Sequence, residues 1–400
     1  MKYLFILSTI ILMNTGYSQC QGDANLDNIV NILDVVLVVN HILDTDHLID
    51  EGFDNSDLNA DGGIDIIDII IIIDILLTGD TECEQFYPID LSLEWEFAED
   101  LSYFDSEQLN DIINEMSNLA YLEGIIIVHN GEIVSENYYN GSSINQTFNI
   151  WSVTKSFTST LIGQAIDQEY IDNQYLTLNN LLPISTQPYL SQISLHNLLS
   201  MSSGYADGFG YPYWVSATTT QLESMPYTFP GFFFYNNSAC HLNSHVLYYA
   251  TQMTPSEFAN MNLFPYLGIE NPQWLDGYLN INDASASLEL RLRDMIKLGQ
   301  LYLQDGWSGE EQILSSEWVN EATSLHVETI SAIPGYGYLW WLPPEEGYMA
   351  IGYGGQYIAV YPERELVIGT HSTINSNQTY QLQLFNYIHN DIAPIFDTND

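Results

Sequence analysis

The sequence predicts a small all-α module followed by a larger α/β (α+β) unit, an antiparallel sheet flanked by helices. Three observations carry this. The chain has 400 residues, more than one typical domain of roughly 100–200. An Asp- and Asn-rich twelve-residue pattern occurs twice near the N-terminus, each copy leading into an apolar helical run. From about Tyr87 onward, helix-like and strand-like patterns alternate to the end of the chain. There Asn130-Gly131, a dipeptide of tight hairpins, separates the strand-like runs Gly124–Val128 and Glu132–Tyr138.

Composition narrows the function. A hydrophobic fraction of 46% is ample for a packed core, and a mean hydropathy of -0.03 argues against a membrane-resident or disordered chain. There are 52 Asp plus Glu against 6 Lys plus Arg, a formal net charge of -46. Such a chain repels polyphosphate, so nucleic acid is not an expected partner. Divalent cations and salty surroundings suit it, and acidic drift in a salt-tolerant source explains the charge equally well.

Residues 1–19 read as an export signal. Lys2 gives a positive start, Tyr3 to Met13 is apolar but too short to span a bilayer, and Gly16-Tyr17-Ser18 offers a cleavage point. The expected location is therefore secreted, periplasmic or cell-surface. Lipidation of Cys20 is the alternative, which Tyr17, Ser18 and Gln19 serve poorly. No later segment has 18 uninterrupted apolar residues, so no membrane span is expected. In an exported chain, Cys20 and Cys83 are expected to pair and Cys240 to be a buried free thiol.

Residues 20–83 carry the repeat. Oxygen-bearing side chains stand at loop positions 1, 3, 5, 9 and 12, as Asp23, Asn25, Asp27, Asn31 and Asp34, and again as Asp57, Asn59, Asp61, Asp65 and Asp68. At this spacing a twelve-residue loop turns alternate oxygens inward around one Ca²⁺. Gly62 suits the sharp turn at position 6, where the first copy has Asn28. Solvated acidic turns ahead of two helices would give a similar composition, but not two copies in register. The pair resembles a dockerin-type repeat. That resemblance implies two bound structural Ca²⁺ and a cohesin-like protein partner; a purely structural calcium module is the alternative. Both loops end in Asp, as dockerins do, where an EF-hand has a bidentate Glu. The run Ile64 to Leu77, interrupted by Asp65, Asp68 and Asp74, reads as a helix with a broad apolar face.

Residues 84–400 form the larger unit. Within it stands "FNIWSVTKSFTSTLIGQAI", with Ser152 opening a helix that runs to about Asp167. Residues three apart on a helix share a face, so Ser152 and Lys155 point the same way. A serine hydroxyl is a weak nucleophile until a base takes its proton, and the helix start offers free N–H groups to a developing oxyanion. Alone the spacing is weak, since a surface lysine on an amphipathic helix reproduces it. Its apolar neighbours Phe148, Ile150, Trp151, Val153 and Phe157 argue for a buried setting.

The context is more specific. "WSVTKSFTSTLIGQAI", "LHNLLSMSSGY", "FFFYNNSACHLNSHVL", "ASASLELRLRDMIKLGQLYLQDG", "YGYLWWL" and "GYGGQYIAVYPERELVIGT" follow in order. They resemble the penicillin-recognising serine hydrolases, in particular the class C β-lactamase-like branch. The resemblance implies a two-lobed β-lactamase-like fold with an all-helical insertion. It also implies an acyl-enzyme on Ser152, with Lys155 as base and Tyr235 of the Tyr-x-Asn motif assisting proton transfer. It places Asn237 on Lys155 and the acyl amide, and the amides of Ser152 and Gln356 in the oxyanion hole. Catalysis there needs no cofactor.

The third motif departs from the family. Where a Lys or His, a small residue and a Gly are usual, this chain has Tyr353-Gly354-Gly355. Tyr353 brings no positive charge to a substrate carboxylate. The expected substrate is therefore a small ester or amide, as in the 6-aminohexanoate-dimer hydrolase-like and esterase-like members. A β-lactamase or D-Ala-D-Ala peptidase is the alternative, and a catalytically idle binding module is an alternative of another class. Trp340 and Trp341 wall the acyl pocket or fill the core. His241 and His245 have zinc-ligand spacing but no third ligand follows.

Overall fold

The computed structural model describes residues 21–25, 29–43, 45, 47–48, 52–53, 55–58, 62–78, 88–182, 188–205, 222, 227–228, 230–277, 280–344 and 346–397. Residues 1–20, with the expected signal and Cys20, lie outside them, as do Cys83 and most of the loop from Tyr205 to Gly231. The chain divides into two compact units, Met1–Pro88 and Ile89–Asp400.

The first unit holds two helices, Ile32–Ile42 and Ile66–Thr78. Asn31 caps the first: its side chain accepts from Leu33 N while Asp34 reaches back to Asn31 N, a reciprocal pair that satisfies donors the helix cannot. Val35, Val38, Ile69 and Ile72 close a small core with Ala24 and Val30.

The second unit is built on an eight-stranded antiparallel sheet. Its strands are β1 (Leu122–His129), β2 (Glu132–Tyr138), β8 (Val327–Glu328), β9 (Gly335–Tyr336), β10 (Trp341–Leu342), β11 (Tyr348–Gly352), β12 (Gln356–Tyr361) and β13 (Leu366–Ser372), in the order β2-β1-β13-β12-β11-β10-β9-β8. Both ends of the unit therefore contribute to one sheet. Asn130 (φ 51°) and Gly131 (φ 78°) turn β1 into β2, the left-handed pair that an Asn-Gly hairpin requires.

Side chains alternate between two cores, as strand geometry dictates. Ile126, Val128, Ile358, Val360 and Val367 face the larger core. Ile125, Ile127, Ala359, Tyr361 and Ile368 face the smaller one, with Leu109 and Ile113 of helix Ser106–Met116 and Leu384 of helix Gln378–Asn386. A second, three-stranded sheet joins β3 (Thr147–Asn149), β5 (Leu288–Arg291) and β4 (Gln273–Trp274) in that order, and β6 (Trp307–Ser308) pairs with β7 (Glu311–Gln312). Between β3 and β4 the described residues hold the helices Thr154–Asp167, Leu195–Leu199, Asn237–Thr251 and Pro255–Asn262.

Helix Thr154–Asp167 is buried from Thr154 to Ala165. Several of its small hydroxyls are compatible with burial because they are hydrogen-bonded: Thr158 Oγ1 to Thr154 O and Thr160 Oγ1 to Ser156 O one turn back, and Ser156 Oγ across to Leu339 O. Gly163 admits the Trp318 ring, which would stand 2.4 Å from a Cβ. Helix Leu292–Leu303 packs against β12 and β13, and Gly299 makes the approach close: a Cβ there would stand 2.6 Å from Ile358 Cγ2 and Val367 Cγ1. Gly299→Val should therefore cost about 2 kcal/mol through overpacking. Thermal unfolding should show a Tm several degrees lower; an unchanged Tm would mean that helix and sheet are not in this contact.

Candidate functional site

Ser152 sits on a 3-10 turn, Trp151–Val153, directly before the buried helix. Asn149 Oδ1 accepts from Trp151 N at 2.7 Å, and Trp151 holds a left-handed φ of 51°, a costly conformation for a bulky residue. The turn leaves Ser152 half-buried. Lys155 stands one helical turn on and is 1% exposed. Its Nζ donates to Ser152 Oγ at 2.9 Å and to the Ser285 carbonyl at 2.6 Å. It also lies over the face of the Tyr235 ring, 4.9 Å from the centroid.

Tyr235 precedes helix Asn237–Thr251. Asn236 caps that helix, accepting from Ala239 N, and donates to Tyr205 O, which fixes the approach of Tyr235. The Tyr235 ring stacks on Trp341 at 5.7 Å and 22°, so Trp341 lies beside the site. Trp340 is fully buried against Tyr302 and Tyr348 and belongs to the core. Asn237 departs from expectation. Its Oδ1 is buried without a hydrogen-bond partner, so the bond expected between Asn237 and Lys155 is not formed. Lys155 spends its protons on Ser152 and Ser285 instead, which leaves an acceptor at Asn237 unused.

The Tyr353-Gly354-Gly355 segment is the turn between β11 and β12. Gly354 (φ 90°) and Gly355 (φ 108°) need left-handed backbone. Gly352 lies so close to Ile150 that a Cβ would stand 2.4 Å from its carbonyl oxygen. Tyr353 meets the Trp151 ring edge-on at 5.9 Å. The turn is thus brought against the two residues before Ser152. Gln356 is buried, and its side chain is clamped to β13: Nε2 donates to Ser372 O, while Oε1 accepts from Ser372 N and His371 Nδ1.

In the N-terminal unit, the last carboxylate of each loop ties back into its own loop. Asp34 accepts from Asn25 N (3.1 Å) and Asn31 N (2.7 Å). Asp68 accepts from Leu58 N (2.9 Å) and Asp65 N (2.8 Å). Asp57 accepts from Gly62 N. The two loops are thus closed in the same way, and Asp23, Asp34 and Asp68 are buried. An all-oxygen donor set with buried carboxylates fits a hard cation. Asp27, Asn59 and Asp61 lie outside the described residues. Among those described, no three His, Cys, Asp or Glu groups converge as a metal cluster, His241 and His245 included.

Comparison with known proteins agrees with both halves. The Beta-lactamase family profile matches residues 121–389. The chain belongs to the Beta-lactamase family. The Dockerin type I domain profile matches residues 21–77, so the chain also carries a dockerin domain. Among solved structures, a Bacillus anthracis protein assigned as a 6-aminohexanoate-dimer hydrolase is 21% identical with a TM-score of 0.61, covering 77% of this chain and 89% of that one. A penicillin-binding protein from Bacillus halodurans is 16% identical, TM-score 0.56, covering 69% and 99%. A class C β-lactamase from Rhodobacter sphaeroides is 15% identical, TM-score 0.56, covering 71% and 98%. At these identities the solved structures speak for the fold. No curated protein matches the chain significantly. This β-lactamase-related protein is an enzyme of the serine-hydrolase class, with the two-lobed fold of that family.

The family motifs left one layer of the hydrolase unassigned. The strap Asn282–Ser285 runs behind Lys155. Ser244 Oγ bonds Asn282 O, Trp274 Nε1 bonds Asp283 O, and Thr158 Oγ1 bonds Ala284 O. The buried Asp283 carboxylate accepts from Ser285 N and Ser285 Oγ, which aims the Ser285 carbonyl at Lys155. Burial pushes the Asp283 carboxyl up, against those bonds and the attraction of Lys155. His241 lies 3.8 Å from Asp283, and burial drives it down to about 3. The sequence signal for the strap was the family-like segment that begins at Ala284, but carbonyl groups leave no mark in a sequence.

His371, fully buried beside Gln356, is likewise held down to about 3 by desolvation. It donates from Nδ1, because Gln356 Oε1 can only accept. An unfolded histidine protonates near 6.5, so as pH falls from about 6.5 toward 3 the unfolded chain gains the proton first. Each such group then costs the folded state roughly 1.4 kcal/mol per pH unit. His371→Gln should reduce the loss of unfolding free energy between about pH 6 and 4 by about that slope. Denaturant melts across this range give the slope, and an unchanged slope would contradict a buried neutral His371.

Proposed function

We propose that this enzyme cleaves a small ester or amide through an acyl-enzyme on Ser152. The observation that carries the reading is the 2.9 Å contact from Lys155 Nζ to Ser152 Oγ, with the lysine buried and pinned by Ser285 O. Lys155, with Tyr235, takes the Ser152 proton as Oγ attacks the carbonyl carbon. The amides of Ser152 and Gln356 hold the oxyanion. Tyr235 returns the proton to the departing alcohol or amine, then assists the water that hydrolyses the acyl-serine. Asn237, whose acceptor is unused in the free enzyme, receives an N–H from the acyl portion of the substrate. Tyr353, in place of a cation, disfavours β-lactams and carboxylate-ended peptides.

The domain scheme is a removable signal over 1–19, a dockerin module over 20–83 and the hydrolase over 84–400, acting outside the cytoplasm. The module would hold two Ca²⁺, one through Asp23, Asn25, Asp27, Asn31 and Asp34, the other through Asp57, Asn59, Asp61, Asp65 and Asp68. Calcium supplies no chemistry to the hydrolase; it would close the loops so that the helices present apolar faces to a cohesin-like partner. Ile32, Leu33, Val36, Ile66, Ile67, Ile70 and Ile73 are exposed there, as such a partner would require.

Purified protein incubated with p-nitrophenyl acetate, nitrocefin and a fluorescent penicillin should turn over the ester alone. Ser152→Ala should abolish that turnover, Lys155→Met should lower kcat by at least about a hundredfold, and Tyr235→Phe by about tenfold or more. Nitrocefin turnover or stable penicillin labelling would favour the β-lactamase or peptidase reading, and no acylation by any probe the idle binding module. Titration calorimetry on the calcium-stripped chain should give two Ca²⁺ per molecule. Asp23→Ala should remove one and Asp57→Ala the other; no uptake would overturn the calcium assignment.

A further inference from the structure

The hydrolase unit carries few permanent cations. Beyond Lys155 its cations are Arg291, Arg293, Lys297 and Arg364. Arg291 is bound through two nitrogens to Asp294 (2.8 and 2.6 Å), and Arg293 likewise to Glu136 (2.8 and 2.6 Å). Lys297 is buried and donates to Leu93 O at 2.8 Å, and Arg364 is held by Asp397 and Glu346. The stretches of this unit outside the described residues are 183–187, 206–221, 223–226, 229, 278–279, 345 and 398–400. They contain no Lys, Arg or His. His371, His241 and His245 are buried and neutral near pH 7. Lys155 itself is occupied by Ser152 and Ser285. None of these Lys and Arg side chains is left to meet an anionic substrate group.

What surrounds the nucleophile is aromatic. Tyr353, 45% exposed, meets Trp151 edge-on, and on the other flank Tyr235 stacks on Trp341, itself edge-on to Phe233. Aromatic faces attract cations and apolar groups, and cannot repay the desolvation of a carboxylate. The formal net charge of -46 acts in the same direction at long range.

We propose that the site selects esters or amides that are neutral or cationic beside the scissile carbonyl, and that Tyr353 sets this selection. The inference rests on Ser152 being the nucleophile. The test is kcat/KM for three matched p-nitrophenyl esters, the neutral butyrate, the anionic succinate and the cationic 4-(trimethylammonio)butyrate, at about 0.02 M and about 0.5 M salt. The anionic ester should fall at least about tenfold below the neutral one even at high salt, where the long-range field is screened, and further below at low salt. The cationic ester should match or exceed the neutral one. Tyr353→Lys should raise the anionic-to-neutral ratio by about tenfold through a charge-assisted hydrogen bond. Tyr353→Arg serves where the lysine variant does not fold. Equal rates for the anionic and neutral esters at high salt would overturn the selection. An unmoved ratio in both variants would overturn the role of Tyr353. Failure of the underlying reading looks different: no ester is turned over, or Ser152→Ala turns them over as the wild type does.

Discussion

A buried lysine amine between two oxygens is the constraint on which the hydrolase unit depends. Lys155 is almost wholly removed from water, and a buried polar group is costly unless it is hydrogen-bonded. Ser152 Oγ, Ser285 O and the Tyr235 ring face receive it. Each must be held in place, and each comes from a different part of the chain. The 3-10 turn fixes Ser152, the Asn236 cap fixes Tyr235, and Asp283 fixes the Ser285 carbonyl. Three separate stretches of chain thus converge on one amine and keep it dry yet bonded.

The same economy governs the rest of the interior. The chain has very few cations, and those of the hydrolase unit outside the site are tied to carboxylates or to a backbone carbonyl. Buried polarity is otherwise neutral: hydroxyls bonding one turn back along the central helix, an amide clamped to β13, histidines kept uncharged by burial. A chain with a net charge of -46 carries its excess carboxylates mostly on the surface, where water and salt screen them.

Much of this was legible in the sequence, for identifiable reasons. Asn130-Gly131 announces its hairpin because few other residues accept two successive left-handed conformations. The loop repeats are legible because metal-binding patterns live in side-chain type and spacing. Ser152, Lys155 and Tyr235 stand out through the motifs around them. The Ser285 carbonyl and the Asp283 support were not legible, since any residue has a carbonyl and a lone buried Asp resembles a surface one. That Asn237 Oδ1 does not meet Lys155 was not legible for a related reason: a motif gives the residue but not which neighbour its amide meets. Trp340 and Trp341 were ambiguous as a pair, and the structure separates them at the start of β10, one into the core and one against Tyr235.

The most direct test of the central claim is to trap the acyl-enzyme. Acid quenching during steady-state turnover of p-nitrophenyl butyrate, followed by digestion and mass spectrometry, should find the butyryl group on the peptide containing Ser152. Lys155→Met, with the fold intact by circular dichroism, should accumulate that adduct at least about a hundredfold more slowly. An adduct on another residue, or acylation of Ser152 at an unchanged rate without Lys155, would contradict the account.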